Sequence, residues 1–97
     1  MIRHIVLLDL QDSATDTDRS AILDALATLP DRIPTVRHYT AAADAGLVDG
    51  NADICAMADF DDVAGYETYR DHEAHHQVIA DHIKPVLAGR TAIQVEI

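Results

Sequence analysis

A chain of 97 residues, 48% hydrophobic and 25% charged, has the composition of one folded globular domain and is too short for a multi-lobed enzyme. Seventeen acidic residues against seven basic ones give a formal net charge of −10, a surface that repels phosphate backbones and anionic membranes and argues against nucleic-acid or membrane partners. The single cysteine, Cys55, excludes an internal disulfide, and with no leader-like start and no apolar run long enough to span a bilayer, the chain reads as cytoplasmic.

Residues 2–10, IRHIVLLDL, are apolar and rich in β-branched side chains, and they end at a polar stretch, the marks of a first strand. Thr15 and Asp18 then match a helix-capping box, and Ile22, Leu23, Leu26 and Leu29 recur at helical spacing until Pro30. A loop over residues 30–34 leads to a second strand, VRHYTAAA, and the turn-rich residues 46–51 connect it to a third at residues 52–60. Asp61 or Asp62 caps a short helix carrying Val63, Tyr66 and Tyr69. A second helix runs over about residues 72–87, with Val78, Ile79, Ile83, Val86 and Leu87 as its apolar stripe and Gly89 at its close. Thr91, Ile93, Val95 and Ile97 alternate with Ala92, Gln94 and Glu96, which is the period of a final strand.

The order β-α-β-β-α-β, without internal repeat or linker, predicts a single α+β domain over residues 1–97, ferredoxin-like, with a four-stranded antiparallel sheet. Helices in such a domain cover one face of the sheet only. Yet Ile2, His4, Val6, Leu8 and Leu10 point one way from the first strand while Ile5 and Leu7 point the other. In the third strand Ile54, Ala56 and Phe60 likewise oppose Cys55 and Met57. Two apolar faces and one helix layer predict a homodimer packed sheet to sheet, with a cavity between the sheets where they do not touch.

Residues 72–76, HEAHH, spell the H-E-x-x-H signature in which two histidines one helical turn apart hold zinc, and His82 stands where the longer metzincin pattern has its third ligand. That pattern needs a glycine to turn the chain back toward the metal, and here the position is Ile79. A continuing helix puts His82 roughly 9 Å beyond His76 and about 120° around the axis, out of reach of the same ion. No metal site is therefore expected. His75, Ile79 and His82 share another stripe, beside the apolar face. An imidazole there has a pKa open to tuning for proton transfer, and the Tyr69 hydroxyl is placed to polarise a carbonyl. The same spacings equally suit packed, hydrogen-bonded core residues.

Taken together, MIRHIVLLDL, GNADICAMADFDD and YRDHEAH resemble the stress-responsive α/β-barrel family (Dabb, dimeric α+β barrel), which includes olivetolic acid cyclase-like proteins. The resemblance spans nearly the whole chain. It rests on His4 in the first strand, Asn51 and Asp53 entering the third, Phe60 ending it, and the spacing of Tyr69, His72 and His75. It implies a ferredoxin-like protomer pairing into a barrel-like dimer. It also implies a role for His75 as base, for Tyr69 at a carbonyl, and for His4 in lining the pocket. Val6 and Leu8, on the same strand face as His4, join it as candidate ligand-binding positions. The chain departs from the family's pattern at Glu73, where proline is usual, and at Gln94 and Val95, where many relatives carry Asp-Tyr.

Two readings follow. In the first, the homodimer binds a small apolar or carbonyl-containing molecule in its inter-sheet cavity and performs cofactor-free acid/base chemistry of the aldol-cyclase or isomerase type. In the second, it is a non-enzymatic stress or ligand-binding dimer whose histidines are structural.

Overall fold

The computed structural model describes residues 1–97. Strand β1 (Ile2–Leu10) leads to helix α1 (Asp16–Ala27), a single helical turn α2 (Leu29–Arg32), and strands β2 (Val36–Ala43) and β3 (Ile54–Phe60). Helices α3 (Val63–Asp71) and α4 (Glu73–Val78) follow, and strand β4 (Leu87–Glu96) closes the chain. The strands lie in the order β2-β3-β1-β4 with every neighbouring pair antiparallel. This is the ferredoxin-like arrangement expected from the order of elements.

Local chemistry explains most boundaries. Thr15 caps α1 by accepting from the Asp18 N–H at 3.1 Å, while the Asp18 carboxylate accepts from the Thr15 N–H at 2.9 Å, which satisfies two of the first-turn donors. Pro30 does not break the chain into a loop. It sits in the first turn of α2, where its missing N–H costs nothing, and the flanking Leu29 and Ile33 are fully buried. Between β2 and β3, Gly46 and Gly50 take positive φ, and Asn51 donates to the Asp44 carboxylate. The Asp53 carboxylate accepts from the Leu10 N–H at 2.7 Å and so ties the entry of β3 to the end of β1. Asp62 caps α3 through the Gly65 N–H at 2.8 Å.

The expected helix over residues 72–87 is three pieces. His72 has extended dihedrals and separates α3 from α4. After Val78 the helix widens into a π-type turn over Ile79–Ile83 and then tightens into a 3-10 turn over Lys84–Val86. Widening adds one residue to the turn. The stripe begun by His75 and Ile79 therefore continues to Ile83, which is buried, while His82 is exposed on another side. Gly89 does not close a helix but lies inside β4, which starts four residues earlier than the alternation from Thr91 suggested.

Phe60, Ile22, Leu29, Ile33 and Ile54 are the largest fully buried side chains, each worth about 1.5–3 kcal/mol of transfer free energy. They join Val6, Leu8, Leu26, Tyr69 and Val78 in one cluster between the sheet and its helices. The other sheet face carries Ile5, Leu7, Cys55, Met57, Ile93 and Val95, which the register brings side by side. No helix is long and apolar enough to cross a membrane.

Candidate functional site

His4, Val6 and Leu8 are three successive inward positions of β1, all buried beneath the helices. Tyr69 comes down from the last turn of α3 and is 3% exposed. His75 comes from the first turns of α4 and is half-buried. These five side chains line one cavity of about 80 Å³, together with Ile79 and Ile83 from the widened turn and Arg90 from β4. The structure thus brings together every residue singled out from the sequence as catalytic or ligand-binding. It corrects their setting. The cavity lies between the sheet and its own helices, within one protomer, and not between two sheets. Alternation along β1 puts His4, Val6 and Leu8 on the helix-covered face, and it is Ile5 and Leu7 that face outward.

Aromatic contacts fix the constellation. The Tyr69 ring packs 4.4 Å from that of His75, 5.3 Å from Phe60 and 6.1 Å from His4, centroid to centroid. Tyr66, one turn earlier on α3, packs 5.1 Å from His4. Gln94 Nε2 donates to His4 Nδ1 at 2.9 Å, which leaves the proton of the neutral His4 ring on Nε2. His75 Nδ1–H donates to the Arg70 carbonyl at 3.1 Å, which leaves His75 Nε2 unprotonated and basic. The Tyr39 hydroxyl, buried beside Tyr69, has no hydrogen-bond partner.

Electrostatics reinforce these protonation states. Burial pushes the His4 pKa down to about 4, with Arg90 and His75 adding to the effect. Burial also lowers that of His75, against the pull of the Arg70 carbonyl. The Tyr69 phenol is pushed up, chiefly by burial, so its hydroxyl stays a donor. Near neutral pH the cavity wall therefore offers one free imidazole nitrogen and two neutral donors beside the Arg90 guanidinium, in a mostly apolar lining.

The H-E-x-x-H histidines do other work. His72 is not in a helix, and its Nδ1 accepts from the Ala74 N–H at 3.0 Å as the cap of α4. His76 Nε2–H donates at 3.0 Å to the same Arg70 carbonyl that His75 engages. Two imidazoles thus satisfy a carbonyl left unpaired where α3 stops. No three His, Cys, Asp or Glu side chains come together as a metal-binding group.

Sequence reasoning missed Arg90 and Gln94 as parts of the site. The signal was the two-residue period of β4, which carries Gln94, Ala92 and Arg90 on one face opposite His4, Val6 and Leu8. Starting that strand at Thr91 left Arg90 in a loop.

Residues 2–97 match the family model described as the stress responsive A/B barrel domain. A dimeric ferredoxin-like protein of unknown function from Thermobifida fusca is 38% identical, with a TM-score of 0.91 over 99% of this chain and 90% of that one. A Dabb family protein from Mesorhizobium loti is 22% identical, with a TM-score of 0.80 over 99% and 95%. A hydroxynitrile lyase from Passiflora edulis is 15% identical, with a TM-score of 0.84 over 99% and 92%. Comparison with curated proteins gives no match. On its full-length match and the 38% identity of a structure that superposes end to end, this chain belongs to the stress-responsive A/B barrel family.

Proposed function

We propose that the protein is a homodimer, each protomer of which takes a small carbonyl compound into the cavity between sheet and helices and moves a proton on it without a cofactor. The observation that carries this reading is the convergence of His75, Tyr69 and His4 on one cavity, with both imidazoles kept neutral by burial. His75 Nε2 removes a proton from the carbon next to the carbonyl. The bond's electron pair moves onto the carbonyl oxygen, and the Tyr69 hydroxyl, with His4 Nε2–H, hydrogen-bonds the enolate that forms. The imidazolium then returns the proton, to the same carbon or to another. Such a cycle closes on side chains alone. The hydroxynitrile lyase of Passiflora edulis is a precedent for chemistry on this fold, at an identity where only the fold transfers. The relatives described as dimeric and the uncovered apolar sheet face support the pairing, and the lone thiol suits a cytoplasmic setting.

A second reading keeps the dimer and the ligand but drops the turnover. It is favoured by the cavity volume, about 80 Å³, well under the roughly 300–1,000 Å³ of drug-sized ligand sites. Both readings confine the ligand to a few non-hydrogen atoms. Hydrogen exchange separates them. With acetone in D2O followed by proton NMR, the first reading expects protein-dependent exchange of the methyl protons, reduced about a hundredfold or more in His75→Ala and also reduced in Tyr69→Phe. Exchange that is absent, or that survives His75→Ala in a folded variant, overturns it in favour of the second.

A further inference from the structure

The cavity carries one permanent charge, and nothing in the protein neutralises it. In a chain with 17 acidic residues, Arg32 donates to the Gln77 side-chain oxygen at 3.4 Å, while Arg3, Arg19, Arg37 and Arg70 each pair with a carboxylate at 2.8–3.1 Å. Arg90 pairs with none, although it sits on the cavity wall. No residue lining that cavity is acidic. The position of Arg90 is fixed by β4, which sets it directly opposite Leu8, four pairings along the strand from the Gln94–His4 pair and on the same face. Its charge reaches all three polar groups of the site, since it acts on His4, Tyr69 and His75 alike. An arginine without a partner, beside neutral donors and a neutral base, has the character of a counter-ion position awaiting an anion. Guanidinium is suited to it because its planar fork matches a carboxylate with two parallel hydrogen bonds.

We propose that the substrate or ligand class is a small oxo-acid, whose carboxylate is held by Arg90 at the rim while its ketone group lies inside against Tyr69 and His75. This deepens the acid/base reading of the site and rests on it for the role of the carbonyl. It also accounts for selectivity in a protein whose net charge repels anions. Only an anion that reaches Arg90 and also fits the small apolar pocket gains both contributions, and acetate-sized or bulky anions lose one of them.

The test compares pyruvate with methyl isopropyl ketone, which has an isopropyl group in place of the carboxylate and the same number of non-hydrogen atoms. Affinities come from NMR titration of the labelled whole protein. Pyruvate is expected to bind about tenfold or more tightly than the ketone, as one charge-assisted pair predicts. The ratio should fall toward one in Arg90→Gln, recover in part in Arg90→Lys, and shrink as salt is raised, because Arg90 is exposed. Equal affinities in the wild type, failure of both probes to bind, or a ratio that persists in Arg90→Gln overturns the assignment. Methyl-proton exchange on the bound probes keeps the two readings apart. Arg90-dependent pyruvate binding without His75-dependent exchange upholds the oxo-acid site and removes the chemistry. Exchange that needs His75 but is indifferent to charge and to Arg90 does the reverse.

Discussion

His4 is a titratable ring enclosed at 4% exposure among Tyr66, Tyr69 and the apolar wall of β1. In an unfolded chain it would take up a proton near pH 6.5; in the folded protein it does so only at about 4. Between those values the unfolded state binds more protons, so the folded state loses stability as pH falls through that window, by at most roughly 3 kcal/mol, and the loss is absent above it. His75, also lowered, contributes with the same sign. Asp59 does not interfere. Its carboxyl is held below the usual range by Arg3, so its stabilisation is lost only as pH drops below about 3.8. Urea midpoints measured from pH 7 to pH 4 should therefore decline for the wild type and decline less steeply for His4→Gln. Parallel slopes for the two proteins would show that His4 is not held neutral by the fold.

At the scale of elements, the site depends on where α3 stops and how α4 begins. Asp62 starts α3, and the run from Val63 to Asp71 then delivers Tyr66 and Tyr69 to His4. Asp62→Ala removes the acceptor for the Gly65 N–H and should cost about 1 kcal/mol of stability. It should also broaden the Tyr69 ring resonances in NMR, because the helix that aims the ring frays at its start. A stability change near zero would mean that packing alone positions α3. This much was legible in the sequence, up to the choice between Asp61 and Asp62 as the cap, since Tyr66 and Tyr69 follow at helical spacing. The alternation of β1 likewise assigned His4, Val6 and Leu8 to one face. The division of the helical region near His72 was legible too, but the breaks within residues 72–87 were not. An apolar stripe such as Val78, Ile79 and Ile83 fits an α-helix and a π-type turn almost equally well, because a one-residue change of hydrogen-bond register leaves the same residue types in place. The start of β4 at Leu87 is set by pairing with Leu10 across the sheet, a partner far away in sequence. Arg90 was hidden for that reason. Which face of the sheet holds the cavity was hidden too, since alternation separates two faces without saying which one the helices cover.

For the molecule as a whole, β1 is an interior strand, with β3 and β4 on either side, and both of its faces are apolar. The helices bury His4, Val6, Leu8 and Leu10. Ile5 and Leu7 are left with Cys55, Met57, Ile93 and Val95 on a face that the chain cannot cover by itself, where Leu7 remains 40% and Ile93 55% exposed. A contiguous patch of this kind on a small protein marks an interaction surface, and an antiparallel sheet can satisfy it by packing on a copy of itself. Ile93→Asp tests this with little risk to the protomer, because the side chain is more than half exposed there. In the dimer the same substitution places a carboxylate against apolar partners, at a cost of several kcal/mol. Sedimentation velocity should show the wild type as a dimer at roughly 10 μM and Ile93→Asp as a folded monomer, a shift of about a hundredfold or more in dissociation constant. Salt gives an independent check. Two protomers of formal charge −10 repel one another, so the wild-type dimer should tighten as ionic strength rises and the repulsion is screened, the opposite of an association built on ion pairs. A wild type that stays monomeric at that concentration, or a dimer indifferent to Ile93→Asp, would leave the face without the partner assigned to it. The cavity, enclosed by one protomer's own sheet and helices, would be unaffected by that outcome, so ligand binding in the Ile93→Asp monomer shows directly whether pairing and chemistry are separable.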